Sequence, residues 1–196
     1  GQPARLHLRG TRSLAPGESS LAELRFREPV SVFAGDRFVL RDASLGLTLG
    51  GGIVLDEDAN RRAFRKPFQE AFLTARAGNT GDLDTFVRSQ VERDKAVPLD
   101  RLLARSRFRP DEIEESVERF TAEGRFDRSG TWIFEAEWWR RLSGMAAEKV
   151  NAIHRDHPEQ LGLPLRDLRA LMEPELPSPR FFDMLLEGLL SGDFAK

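Results

Sequence analysis

Over the first 58 residues, apolar and polar side chains alternate with a period of two. Leu6 and Leu8 alternate with Arg5, His7 and Arg9, and Ala22, Leu24 and Phe26 with Glu23, Arg25 and Arg27. Phe38 and Leu40 alternate in the same way with Arg37, Val39 and Arg41. Turn-forming groups separate these runs: Ala15-Pro16-Gly17, Glu28-Pro29, Gly35-Asp36 and Gly50-Gly51-Gly52. Successive side chains of a strand point to opposite faces, so this pattern predicts short strands with one apolar face, in an antiparallel barrel or sandwich. So few residues lie near the lower limit for an independent core.

At about Asp56 the period becomes 3.6. Helices are predicted over 66–77, opening near Pro67, and over 82–94, with Asp82 or Asp84 as the cap. Pro98-Leu99 opens a short helix to about Arg105, and Pro110-Asp111 opens another to about Ala122. The latter sets Ile113, Val117 and Phe120 on one stripe. Gly124 ends it, and two short strands, 125–128 and 131–135, flank Ser129-Gly130. Helices followed by a hairpin predict a winged helix-turn-helix.

The remainder repeats that order. A helix from about Ala136 to Asp156 leads to Leu163-Pro164-Leu165, which matches Val97-Pro98-Leu99. Pro179 and Phe181–Leu190 then replay the Pro110 helix, and Ser191-Gly192-Asp193-Phe194 matches Glu123-Gly124-Arg125-Phe126. The offset grows from 66 to 68, a two-residue insertion in the intervening turn. The expected fold class is mixed and multi-domain. A small β-barrel at 1–58 is followed by tandem winged helices at 59–142 and 143–196, the second truncated at its wing. The chain does not open on Met and stops as a strand pattern begins, so it is expected to be a piece of a longer protein.

Composition narrows the function. Of 196 residues 40% are hydrophobic and 32% charged, an ordinary globular mix, and no apolar run is long enough to span a bilayer. With no Cys, disulfides and thiolate metal sites are excluded, and a reducing, cytoplasmic setting is expected. A net charge of −2 means that nucleic-acid contact must come from local clustering. Arg5, Arg9, Arg25, Arg27, Arg37 and Arg41 all fall on polar strand faces. Such a face can track an RNA backbone, because guanidinium forks match phosphate oxygens. The same pattern also serves as a solvated face, partly neutralised by Glu23, Glu28, Asp36 and Asp42.

The helices point away from DNA. A groove-reading helix needs a neutral or basic exposed face, whereas the Pro110 helix carries Asp111, Glu112, Glu114, Glu115, Glu118 and Glu123 against Arg119. Its counterpart in the second copy is apolar almost all round, which predicts burial against another module. A spacer or scaffold role fits this pair. Gly50-Gly51-Gly52 lacks the Lys-Ser/Thr of a phosphate-binding loop and reads as tight backbone packing. His154 and His157 sit three apart at a helix end closed by Pro158, a surface or capping position rather than a metal site. Trp132, Trp138 and Trp139 read as hinge packing. Nothing in the sequence supports a catalytic or metal site.

Residues 35–56, GDRFVLRDASLGLTLGGGIVLD, closely resemble the last strands of the third domain of the selenocysteine-specific translation elongation factor family. His7, Gly10-Thr11, Pro16-Gly17-Glu18 and Glu28-Pro29-Val30 also fit it. The resemblance implies a barrel like the third domain of elongation factor Tu, followed by tandem winged helices. It implies contact with selenocysteyl-tRNA and the ribosome, and an mRNA hairpin read by winged helices beyond Lys196. GTP and Mg would belong to a GTPase domain of the parent protein, leaving this chain without cofactor or catalysis, as a monomer off the membrane. The tRNA-facing edge of elongation factor Tu aligns with Glu28 and with Ser44, Leu45 and Gly46, and implies that Arg25, Arg27, Arg37 and Arg41 lie near tRNA. Relatives have a further strand or two where only Arg12, Ser13, Leu14 and Ala15 stand here, so either the barrel is trimmed or residues are missing from this sequence. Two other readings stay open: a dimeric winged-helix transcription regulator on duplex DNA, and a protein-interaction scaffold.

Overall fold

Four strands form where the period-two pattern falls: β1 (Ala4–Leu8), β2 (Ala22–Phe26), β3 (Arg37–Arg41) and β4 (Thr48–Ile53). They pair as two separate antiparallel hairpins, β1 with β2 and β3 with β4. A closed barrel is not present among the described residues, which corrects the expected closure. Four strands of five or six residues are too few to wrap round an interior of their own. Leu6, Phe26, Val39 and Leu49 on the strands stay exposed, and cover reaches the residues that flank them. Leu21 and Leu55 pack on a cluster of Phe64, Phe72 and Leu73 from the segment that follows. On β2 the alternation is also inverted, since Glu23 is buried and Leu24 only half-buried.

The computed structural model describes residues 1–104, 106–156 and 163–190. It divides into two compact units: residues 1–93 with 99–117, and residues 94–98 with 118–196. In the first unit the hairpins are followed by α1 (Pro67–Gly78) and α2 (Leu83–Asp94), then α3 (Leu99–Ala104) and the start of α4 (Pro110–Ala122). Pro67 occupies the first turn of α1, where its missing N–H costs nothing. Asp82 caps α2 by accepting the Thr85 amide at 2.8 Å. At α4, Glu112 reaches back to the Arg109 amide at 2.8 Å. Ile113, Val117 and Phe120 are buried, while Asp111, Glu112, Glu115 and Glu118 are exposed, as the helical stripe requires.

The second unit holds β5 (Ala96–Pro98), β6 (Phe126–Ser129), β7 (Trp132–Glu135), α5 (Ala136–Asp156), α6 (Leu165–Met172) and α7 (Arg180–Leu190). β7 lies between β5 and β6, antiparallel to both. β5 was not expected, because three residues are too short to show alternation. A 3-10 turn at Glu173–Glu175 occupies the stretch where the repeat gains length. The Ser191-Gly192-Asp193-Phe194 match and His157 lie outside the described residues.

One face of the apolar helix α7 is buried within this unit, while Asp183, Glu187 and Leu190 are exposed. Phe182 and Leu185 pack with Leu142, Ala146, Leu168 and Met172, while Phe181 joins Ala96 and Phe134. Phe181 is the hub of an aromatic cluster, its ring 4.9 Å from Trp132, 5.9 Å from Trp138 and 6.2 Å from Trp139 between centroids. The three tryptophans therefore serve packing here.

Candidate nucleic-acid interface

The eight residues expected near RNA fall on two different sheets. Arg25 sits mid-strand on β2, and its Nε and Nη2 both donate to the buried Glu23 carboxylate, at 2.9 and 2.6 Å. That half-buried guanidinium is committed to a partner within the protein. Arg27 and Glu28 follow β2 and are exposed. Arg37 and Arg41 stand exposed at the two ends of β3 with Val39 between them, all on one face. Four residues of strand separate the two arginines, about 13 Å.

Ser44, Leu45 and Gly46 form the tip of the β3–β4 hairpin, and Asp42 builds it. Its carboxylate accepts the Ser44 and Leu45 amides at 2.8 and 2.7 Å. Those amides, Leu45 first, hold the Asp42 carboxyl below the ordinary aspartate range. Gly46 takes a positive φ of 67° and donates to the Asp42 carbonyl at 2.9 Å, closing the turn. Leu45 is 72% exposed, as befits a residue at the apex.

A second basic surface, not anticipated, lies where β1 ends. Leu8, Arg9, Gly10, Thr11, Arg12 and Leu21 line a groove with Arg65 and Glu70. Arg65 belongs to the turn 61–66, which also carries Arg61, Arg62 and Lys66. Pattern reading missed it because a turn between two periodic stretches has no face to assign.

The β hairpins join the helices through buried charge. The Arg76 guanidinium, 4% exposed, stacks on Phe72 at 4.1 Å and on Phe86 at 4.6 Å. It donates to the Leu55 carbonyl at 2.8 Å, Ser89 Oγ at 3.0 Å and Gln90 Oε1 at 2.7 Å, with Glu57 3.9 Å away. Arg93 also lies 4.1 Å over the Phe72 ring and pairs with Asp56 at 2.9 Å, whose carboxylate accepts Gln69 Nε2 at 2.7 Å as well. Three consecutive residues after β4 are thus tied to α1 and α2.

Residues 2–61 match the family model described as selenocysteine-specific elongation factor, beta-barrel domain. Over that segment the chain is similar to the barrel domain of that family. No curated protein matches the chain. The part matched to the selenocysteine-specific elongation factor covers all four strands and the acidic side of the junction, Asp56 and Glu57. Arg76 and Arg93, which answer those acids, come from beyond it.

The selenocysteine-specific elongation factor family implies GTP and Mg, and the glycine run tests whether they fit here. That run is not a phosphate loop: Gly50-Gly51-Gly52 lies within β4, where a Cβ on Gly51 would meet the Phe38 carbonyl oxygen at 2.6 Å. Gly51 and Gly52 serve close strand packing. Among the described residues no group of three or more His, Cys, Asp or Glu is placed to hold a metal ion, and His154 is exposed. No helix among them is long and apolar enough to cross a membrane.

Proposed function

We propose that this chain is the tRNA-contacting β module of a selenocysteine-specific elongation factor with winged-helix spacers attached, acting in the delivery of selenocysteyl-tRNA to the ribosome at recoded UGA codons. The observation that carries this reading is the family match over residues 2–61. Exposed Arg27, Arg37 and Arg41, with the Ser44-Leu45-Gly46 tip and Glu28, supply the contact. Arg25 contributes less directly, by holding Glu23.

The winged-helix reading draws support from the order α2, β5, α3, α4, β6, β7 and from the hairpin β6–β7 beside β5. The exposed acids of α4 favour a spacer over a reader of the DNA major groove. In this reading the chain holds no catalytic residue and works in the cytoplasm as a monomer. GTP and Mg serve the GTPase part of such a factor, and the mRNA hairpin is read by other winged helices.

Anisotropy titrations with labelled selenocysteine tRNA, the recoding mRNA hairpin and duplex DNA, across salt, test it. The expected result is salt-sensitive binding to tRNA alone. Changing Arg27, Arg37 and Arg41 to Ala should weaken it and lower the salt slope by about 3, one for each phosphate no longer engaged. Tight binding to the mRNA hairpin would overturn the spacer assignment. A preference for duplex DNA would put a transcription regulator in its place.

A further inference from the structure

We infer that the groove between the end of β1 and the start of α1 is a separate binding site for the sugar-phosphate backbone of RNA. The inference rests on the reading that this chain touches RNA, and adds a site which the strand faces do not supply.

The first argument is the fate of the chain's other arginines. Arg25, Arg93, Arg101, Arg109 and Arg169 each stand within 3.1 Å of a carboxylate. The 61–66 turn, like Arg27, Arg37 and Arg41 on or beside the strands, has no such partner among the described residues. Arg61, Arg62, Arg65 and Lys66 are exposed, and so is Arg12 across the groove; none of the five has an ion pair among the described residues. The ten residues from Ala59 to Phe68 hold four basic side chains and no acidic one, in a protein whose net charge is −2. Arg12 and Arg65 line the groove, and Arg61, Arg62 and Lys66 are their neighbours in the adjoining turn; like charges gathered so repel one another, a cost that a polyanion removes.

The second argument is the groove's own chemistry. It is open, with a volume of about 760 Å³. Glu70 is the one acid lining it, and Arg9 already answers that charge. Arg9 Nη2 donates to Glu70 Oε2 at 2.7 Å, Nη1 donates to the Phe64 carbonyl, and the guanidinium lies 5.6 Å from the Phe64 ring centroid. Arg9 is thus a fixed wall, while Arg12 and Arg65 remain available as forks for phosphate oxygens. α1 opens directly after the turn, so its N-terminal partial charge adds to the same field. Cations spread along an open groove suit a chain of phosphates better than one small anion, which needs converging donors.

The test uses the full chain with labelled selenocysteine tRNA and a labelled twelve-nucleotide oligouridine, titrated across salt. Replacing Arg12, Arg61, Arg62 and Arg65 together by Gln should weaken binding about tenfold or more at 0.1 M salt. The salt slope for the single strand should fall by about 3, near 0.7 for each phosphate released. Glu70→Gln should tighten binding about twofold or more by removing the groove's only acid; loss of folding cannot imitate that gain. Circular dichroism checks that the variants keep their helices.

If the Arg27, Arg37, Arg41 variant loses tRNA while the groove variant binds as before, the groove is not a site and the functional reading stands. If oligouridine binds through the groove while tRNA is not bound, the groove stands and the tRNA reading falls. Displacement of oligouridine by poly-glutamate as readily as by unlabelled RNA, at equal charge, would overturn the inference in favour of an acidic protein partner.

Discussion

One carboxylate at Asp82 replaces bonds that the first turn of α2 cannot make for itself. The Thr85 hydroxyl and then the Thr85 amide donate to it, and together they lower its pKa. A carboxyl whose folded pKa lies below its unfolded one stabilises fully above the unfolded value, and loses that contribution as pH falls through the folded value. Asp82→Ala should therefore cost about 1 kcal/mol at neutral pH. The gap between the variant and the parent should close as pH drops below about 4, which urea titrations at several pH values would show. A gap that persisted at low pH would mean the side chain acts otherwise. The sequence offered Asp82 and Asp84 equally as the cap. Asp84 accepts the Ser116 hydroxyl at 2.7 Å instead, a partner 32 residues away that no local pattern reveals. Arg25 shows the same limit: its strand position was legible, its bond to a buried Glu23 was not.

At the level of elements, the β3–β4 hairpin is held close by absent side chains. A Cβ on Gly51 would lie 2.6 Å from a backbone oxygen that cannot move aside. On Gly52 it would lie 2.6 Å from the far end of the Phe38 ring, which can yield somewhat. On Gly50 it would meet nothing. Gly51→Ala is expected to destabilise by about 2 kcal/mol, Gly52→Ala by less, and Gly50→Ala hardly at all. Denaturant midpoints of the three variants give that order directly, and equal values would show that strand packing does not explain the glycines. Most helices and strands were readable because each carries several turns of its period or ends on Pro or Gly. β5 was not, since Ala96, Val97 and Pro98 become a strand only through pairing with β7.

On the scale of the whole molecule, the period-two run told of strands but not of closure, which depends on how many strands meet and what covers them. The cover comes from Phe64, Phe72 and Leu73, and the tie from Arg76. Arg76→Met should cost about 3 kcal/mol or more, because it strips a cation from buried acceptors. Differential scanning calorimetry should then show the hairpins melting ahead of α1 and α2, where the parent melts them together; a single unchanged transition would show that Arg76 is not the tie. The groove by Arg65 was equally illegible, since only the fold brings residues 8–12 beside residues 65–70.

The cluster around Phe181 gives the protein a private optical reporter. Trp132, Trp138 and Trp139 are the only tryptophans in the chain, tyrosine is absent, and all three indoles belong to the second unit. Intrinsic emission, excited at the red edge of indole absorption, thus speaks for that unit alone, while far-ultraviolet ellipticity sums both. Damage confined to the first unit should shift the ellipticity curve and leave the emission curve in place, so the two units can be followed separately in one unlabelled sample.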